Sequence, residues 1–170
     1  MHGMEDGMVV QRGPHGGSAR LSLDCGPGEL TAGATPALVI MDGAGAPVHH
    51  RAAVSRSGSL FNIELTELPA GGPWTLSFEH GSSAFTRTFW VGDLWLMAGQ
   101  SNMEGVGLMK DAAEPHPMVR LFSMARTWDM AREPLHFLEE SPDPVHNGGH
   151  EPLDAEAAAV VKASCIRGSG

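Results

Sequence analysis

The feature that most restricts what this chain can fold into is a change of apolar pattern at residue 91. Before it, from residue 18 to 90, short alternating stretches recur at intervals of roughly 8 to 15 residues, the spacing of strands in an antiparallel sandwich. In SARLSLDC, Ala19, Leu21, Leu23 and Cys25 alternate with polar neighbours. ALVIMD (37–42) is a short apolar strand followed by the turn sequence GAGAP. AAVSRSGSLFNIEL (52–65) reads as a hairpin about Ser57 and Gly58, and LPAGGP (68–73) as a turn. PWTLSFEH then sets Trp74, Leu76 and Phe78 on one face, and AFTRTFWV follows. The 22 glycines and 12 prolines fit many turns and short strands better than a helical bundle.

From Val91 the apolar residues are continuous instead. Leu94, Trp95, Leu96, Met97 and Ala98 stand in unbroken order, which suits a strand covered on both faces, as in a parallel sheet. MVRLFSM (118–124) is expected to be a second such strand. Residues 132–152, rich in proline, histidine and acids, read as a long irregular loop, and LDAEAAAVVKAS (153–164) as a helix with acids in its first turn. The expected architecture is an all-β sandwich over 1–90, followed over 91–170 by the first part of an α/β domain.

With 20 acidic and 11 basic residues the net charge is −9, and no basic run exists. Nucleic acid is therefore not an expected partner. No stretch approaches the roughly 20 apolar residues that cross a bilayer, so no membrane is expected either. The start, MHGMEDGMVV, lacks the basic and apolar regions of a signal peptide, and localisation stays open. Two cysteines, Cys25 and Cys165, leave a bridge undecided, and no C-x-x-C occurs.

The candidate chemistry sits where the continuous run stops, in VGDLWLMAGQSNMEG (91–105). A strand ending at Gly99 delivers Ser101 to a turn. A serine at the carboxyl end of a parallel strand lies on the edge where open α/β sheets bind ligands. It becomes a nucleophile if a base takes its proton and backbone N–H groups receive the oxyanion. Gly99-Gln100-Ser101-Asn102-Met103 lacks the final glycine of the G-x-S-x-G elbow. Gln100 and Asn102 are candidate oxyanion or substrate contacts, although amides at strand ends also cap turns.

This block resembles the nucleophile block of the sialate O-acetylesterases, a branch of the SGNH hydrolases. Two further stretches carry the resemblance: MEDGMVVQR (4–12) and LPAGGPWTLSFE (68–79). It implies a flavodoxin-like three-layer α/β esterase domain, with Ser101 attacking an acetyl ester of a carbohydrate. It also implies an acetyl-enzyme, an oxyanion donor in the Ser101 backbone N–H, no cofactor and no metal. Sialic acid, acetylated xylan and other glycans stand level as substrates.

Two departures stand beside it. The later blocks of the family, with the glycine and amide donors and the late base histidine, are not found. About five βα units of roughly 30 residues need about 150, whereas 79 residues follow Val91. The chain thus reads as a C-terminally truncated member. The local substitute for the missing pair is Asp143-Pro-Val-His146, a D-x-x-H in which the aspartate would orient the imidazole. It lies 42 residues after Ser101, too early for the pair that closes such a domain, so it reads as part of a substrate-side loop before it reads as the base pair. The histidines show no metal spacing: His49 and His50 are adjacent, and Asn147-Gly148-Gly149 breaks any helix between His146 and His150. Arg126, Trp128 and Asp129 form either a sugar platform or a core residue under a loop. The competing reading is a catalytically incomplete chain whose β-sandwich binds glycan or serves only as a structural module.

Overall fold

In the computed structural model the described residues are 4–13, 19–24, 36–58, 60–80, 83–99 and 112–168, of which 19–24, 83 and 165–168 are described through the backbone alone. The chain forms two compact units, divided between Leu94 and Trp95.

The first unit is a sandwich of two sheets. One has the order β1 (Met8–Gln11), β7 (Ser83–Gly92), β6 (Gly71–His80), β3 (Ala37–Met41); the other has β2 (Ala19–Asp24), β5 (Leu60–Thr66), β4 (Arg51–Ser57). The strands follow the expected alternating stretches. β4 and β5 are an antiparallel pair closed near Gly58, whose φ of 62° is one that glycine adopts without a Cβ penalty. On β6, Leu76 and Phe78 are fully buried and Trp74 packs against them from a half-buried position. Phe61, Ile63 and Leu65 of β5 meet Ile40, Leu76, Phe78, Phe89 and Val91 of the other sheet in one cluster, which Leu68 completes. Each such side chain contributes about 1.5–3 kcal/mol through removal from water.

All the pairings in the two sheets are antiparallel except one: β1 runs parallel to β7, with Met8 opposite Phe89 and Gln11 opposite Gly92. The sequence EDGMVVQR explains how β1 docks. The Asp6 carboxylate accepts the Thr88 N–H at 2.6 Å, and the Gly7 N–H donates to the Thr88 carbonyl at 2.7 Å. Gly7, at φ 80°, turns the chain into the strand. Between β6 and β7 the register slips at Gly71/Trp74, where Gly72 (φ 144°) lies so close to β7 that a Cβ would stand 2.9 Å from the Trp90 ring.

The second unit differs from expectation. Val91 and Gly92 still belong to β7, but residues 93–99 are not strand. Trp95 and Leu96 are 86% and 93% exposed. A continuous apolar run becomes a buried strand only if partners lie on both edges and both faces, and none pairs with it among the described residues. MVRLFSM is likewise not a parallel core strand. Its Arg120–Phe122 is β8, an antiparallel partner of β9 (Trp128–Met130). Ser123, through its backbone bonds to Arg126 and Thr127, closes this hairpin, and Arg126 takes φ 60°. Local turn chemistry thus uses those residues before any sheet does. The loop over 132–152 contains one 3-10 turn, Leu138–Glu140. The expected helix forms as α1 (Ala155–Gly168), with the Asp154 carboxylate accepting the Ala157 N–H at 2.8 Å as its N-cap. No helix among the described residues is long and apolar enough to cross a membrane.

Candidate active-site region

Gln100, Ser101 and Asn102 lie outside the described residues. Two features on either side of them are well defined, one in each unit.

In the first unit, the connection toward Ser101 is anchored where β7 ends. Arg12 holds Asp93 through two bonds of 2.8 Å, Nε to Oδ1 and Nη2 to Oδ2. The Gln11 amide nitrogen donates to Asp93 Oδ1 at 3.4 Å, and its carbonyl accepts the Leu94 N–H at 2.8 Å. The two stretches quoted above as separate motifs, one ending in Gln11-Arg12 and one opening on Val91-Gly92-Asp93, are thus one clamp. Sequence reading missed this contact because 81 residues separate the partners. Hydrogen bonding to Arg12 holds the Asp93 carboxyl below the usual carboxylate range. A depressed folded-state value stabilises above the unfolded value and is lost as pH falls through the folded one. Replacing Asp93 with asparagine is therefore expected to lower the thermal midpoint slightly at neutral pH. The gap from the parent should close as pH falls below about 4, and a gap that persists in acid would exclude the clamp as its cause.

In the second unit, the loop after the 3-10 turn and the helix α1 enclose an open cleft of about 560 Å³. Its rim is polar, with His136, Glu139, His146, Asn147, His150 and Glu151, and Leu138, Leu153 and Val161 supply its apolar surface. The arrangement is held by Lys162, whose Nζ donates to Glu140 Oε2 at 2.6 Å and lies 5.1 Å from the centre of the Phe137 ring. Glu140 is 8% exposed and the Lys162 side chain 26%. Replacing Lys162 with methionine keeps the apolar stem and strands the carboxylate. We expect a loss of about 2 kcal/mol in urea unfolding, less than for a fully buried pair because Lys162 is partly wet. Adding Glu140→Gln should restore part of it; a double variant no better than the single one would contradict this account.

The D-x-x-H candidates lie beside this cleft, and the contact that the sequence suggested between them is not the one formed. The Asp143 carboxylate accepts the Val145 N–H at 3.0 Å, an Asx turn, and the His146 N–H donates to the Asp143 carbonyl at 3.0 Å. Two residues apart, the aspartate prefers its own backbone to the ring four positions into the motif. The partner of His146 is Ser141: its Oγ stands 2.8 Å from His146 Nδ1, and it accepts the Asp143 N–H at 3.2 Å. Ser141 is 2% exposed. Sequence reading passed over it, although Ser-Pro-Asp is turn-forming sequence whose hydroxyl bonds nearby backbone.

Trp128 faces Phe122 across the hairpin, with ring centres 5.4 Å apart and planes at 49°. Trp128 is half-buried and Phe122 is 48% exposed, so the tryptophan is a cross-strand packing residue with an open neighbour. Other histidines are held singly: His49 by Glu67 at 2.9 Å, His50 by the Val48 carbonyl at 2.8 Å. No group of three or more His, Cys, Asp and Glu residues capable of holding a metal ion occurs among the described residues.

Residues 91–164 match a carbohydrate esterase family. The matching model is described as SASA, a carbohydrate esterase, sialic acid-specific acetylesterase, and the matched stretch contains both the GQSN block and the cleft. It supports an esterase of the carbohydrate class at the level of the family. No curated protein matches the chain. Among solved structures, it is similar to the I9-I11 tandem of titin at 7% identity and a TM-score of 0.34, over 55% of this chain and 33% of the tandem's length. Titin domain M7 matches at 13% identity and 0.34, over 56% of this chain and 91% of that one. A twitchin kinase fragment from C. elegans matches at 9% and 0.31, over 54% and 19%. These likenesses are shallow and carry no functional meaning.

Proposed function

We propose that this chain carries the nucleophile part of a carbohydrate O-acetylesterase of the SGNH kind, with Ser101 as the nucleophile. The observation that carries the reading is the family match over 91–164, which includes Gly99-Gln100-Ser101-Asn102. The Ser101 oxygen attacks the acetyl carbonyl carbon, the bond to the sugar oxygen breaks, and that oxygen leaves with a proton. Water then attacks the acetyl-enzyme, releasing acetate and restoring the hydroxyl. Gln100 and Asn102 are the proposed oxyanion and substrate contacts, and the substrate is an acetylated glycan. The proposed domain is the three-layer α/β type, of which α1 is one helix. Asp143 and His146 do not form the aspartate–imidazole bond of a catalytic triad, so neither is assigned as orienter or base. The test is release of 4-nitrophenol from 4-nitrophenyl acetate by the parent chain and by its Ser101→Ala variant. Turnover by the parent alone supports the reading; equal rates contradict it.

A further inference from the structure

The Ser141–His146 contact fixes more than a ring position, because the hydrogens at it can be counted. A serine hydroxyl has one proton to donate and two lone pairs to accept with. Ser141 Oγ already accepts the Asp143 N–H at 3.2 Å. At 2% exposure it is shut off from bulk solvent, and among the described residues the acceptor within reach is His146 Nδ1 at 2.8 Å. If Nδ1 carried the proton instead, Ser141 would accept twice and its own O–H would stay buried without a partner. That costs about 1–3 kcal/mol. The hydroxyl therefore donates, Nδ1 accepts, and the neutral ring carries its proton on Nε2. His146 is exposed, lines the cleft, and makes no Nε2 bond among the described residues.

We infer that Ser141 holds His146 as the Nε2–H tautomer, so that His146 meets an ester in the cleft as a hydrogen-bond donor to its oxygen and not as the base that activates a nucleophile. The tautomer stands on the geometry alone; the ester as ligand rests on the proposed function. An imidazole donor of this kind stabilises negative charge on a carbonyl oxygen as it is attacked, and the proton on Nε2 stays there throughout.

Two measurements on the full chain separate the parts. The first is nitrogen-15 NMR of the histidine rings at alkaline pH, with His146 assigned by its loss in His146→Gln. We expect Nε2 protonated and Nδ1 bare in the parent and in Ser141→Thr, and a mixture of tautomers in Ser141→Ala. A parent ring protonated on Nδ1 overturns the inference, whatever the activity. The second is turnover of 4-nitrophenyl acetate. The amide nitrogen of glutamine reaches about as far as Nε2 and donates, but it is no base. His146→Gln should stay within about tenfold of the parent, while His146→Ala should fall by about 100-fold, the usual effect of losing one such donor. Equal and severe losses in both variants make His146 a base and overturn the inference while the esterase stands. Full activity in both, with Ser101→Ala inactive, removes His146 from the reaction and overturns its ligand role. If Ser101→Ala is as active as the parent, the esterase reading itself falls, and the ligand role falls with it.

Discussion

Ser101→Ala is expected to lower acetate release by a factor on the order of 10⁶, the size of loss seen when a serine hydrolase loses its nucleophile. The reason is the missing atom. Alanine forms no acyl-enzyme, so water must attack the bound ester directly and the reaction loses the path of two easier steps. The proposed oxyanion donors and substrate contacts would remain and would leave some catalysis over water. The fall should accordingly lie in kcat, with KM changed little. Alanine differs from serine by one hydroxyl, so the thermal midpoint serves as the control for folding. A variant that keeps even a tenth of parental kcat would mean that another group attacks the ester.

The second large effect concerns the sandwich. Phe78 is fully buried on β6, at the centre of its sheet. Its ring meets Phe61 of the opposite sheet edge-on, with centres 5.5 Å apart and planes at 62°, and Phe85 on β7 at 5.3 Å. Phe78→Ala removes the ring and leaves a cavity between two sheets that cannot close on it. We expect a cost of about 3–5 kcal/mol in urea unfolding, a large share of the 5–15 kcal/mol that holds a typical domain. Phe122→Ala on the open hairpin is the comparison, expected below about 1 kcal/mol. Two similar losses would show that the sheets do not share this core.

The sandwich was legible because its strands carry their own pattern. Leu76 and Phe78 point inward by the two-residue period of the chain, whatever lies beyond them. The hairpin at Gly58 and the helix capped by Asp154 are equally local, written in turn and capping residues. What was not legible depended on partners. Leu94 to Met97 have the composition of a buried strand, and composition does not say whether neighbours exist to bury them. Phe122 reads as part of a parallel core strand and Trp128 as a residue of the loop after it, although the Ser123–Thr127 turn between them already specifies a hairpin. The candidate site divides along the same line. The GQSN block announces itself by resemblance, whereas the choice of Ser141 over Asp143 as the partner of His146 is a competition for hydrogen bonds. Asp143 satisfies its carboxylate on Val145, and the spacing D-x-x-H does not reveal that.

β1 also has a consequence for how the protein behaves at high concentration. Its parallel pairing covers Phe89 to Gly92, the last four residues of the ten-residue strand β7. Remove residues up to 12 and the row of backbone N–H and C=O groups along Phe89 to Gly92 is left open, beside Val91 from the core. A strand bared in that way is a template for a strand of another molecule. The first dozen residues then act as a built-in guard against self-association, and a shortened chain should reveal it by forming soluble oligomers while its sandwich is still folded.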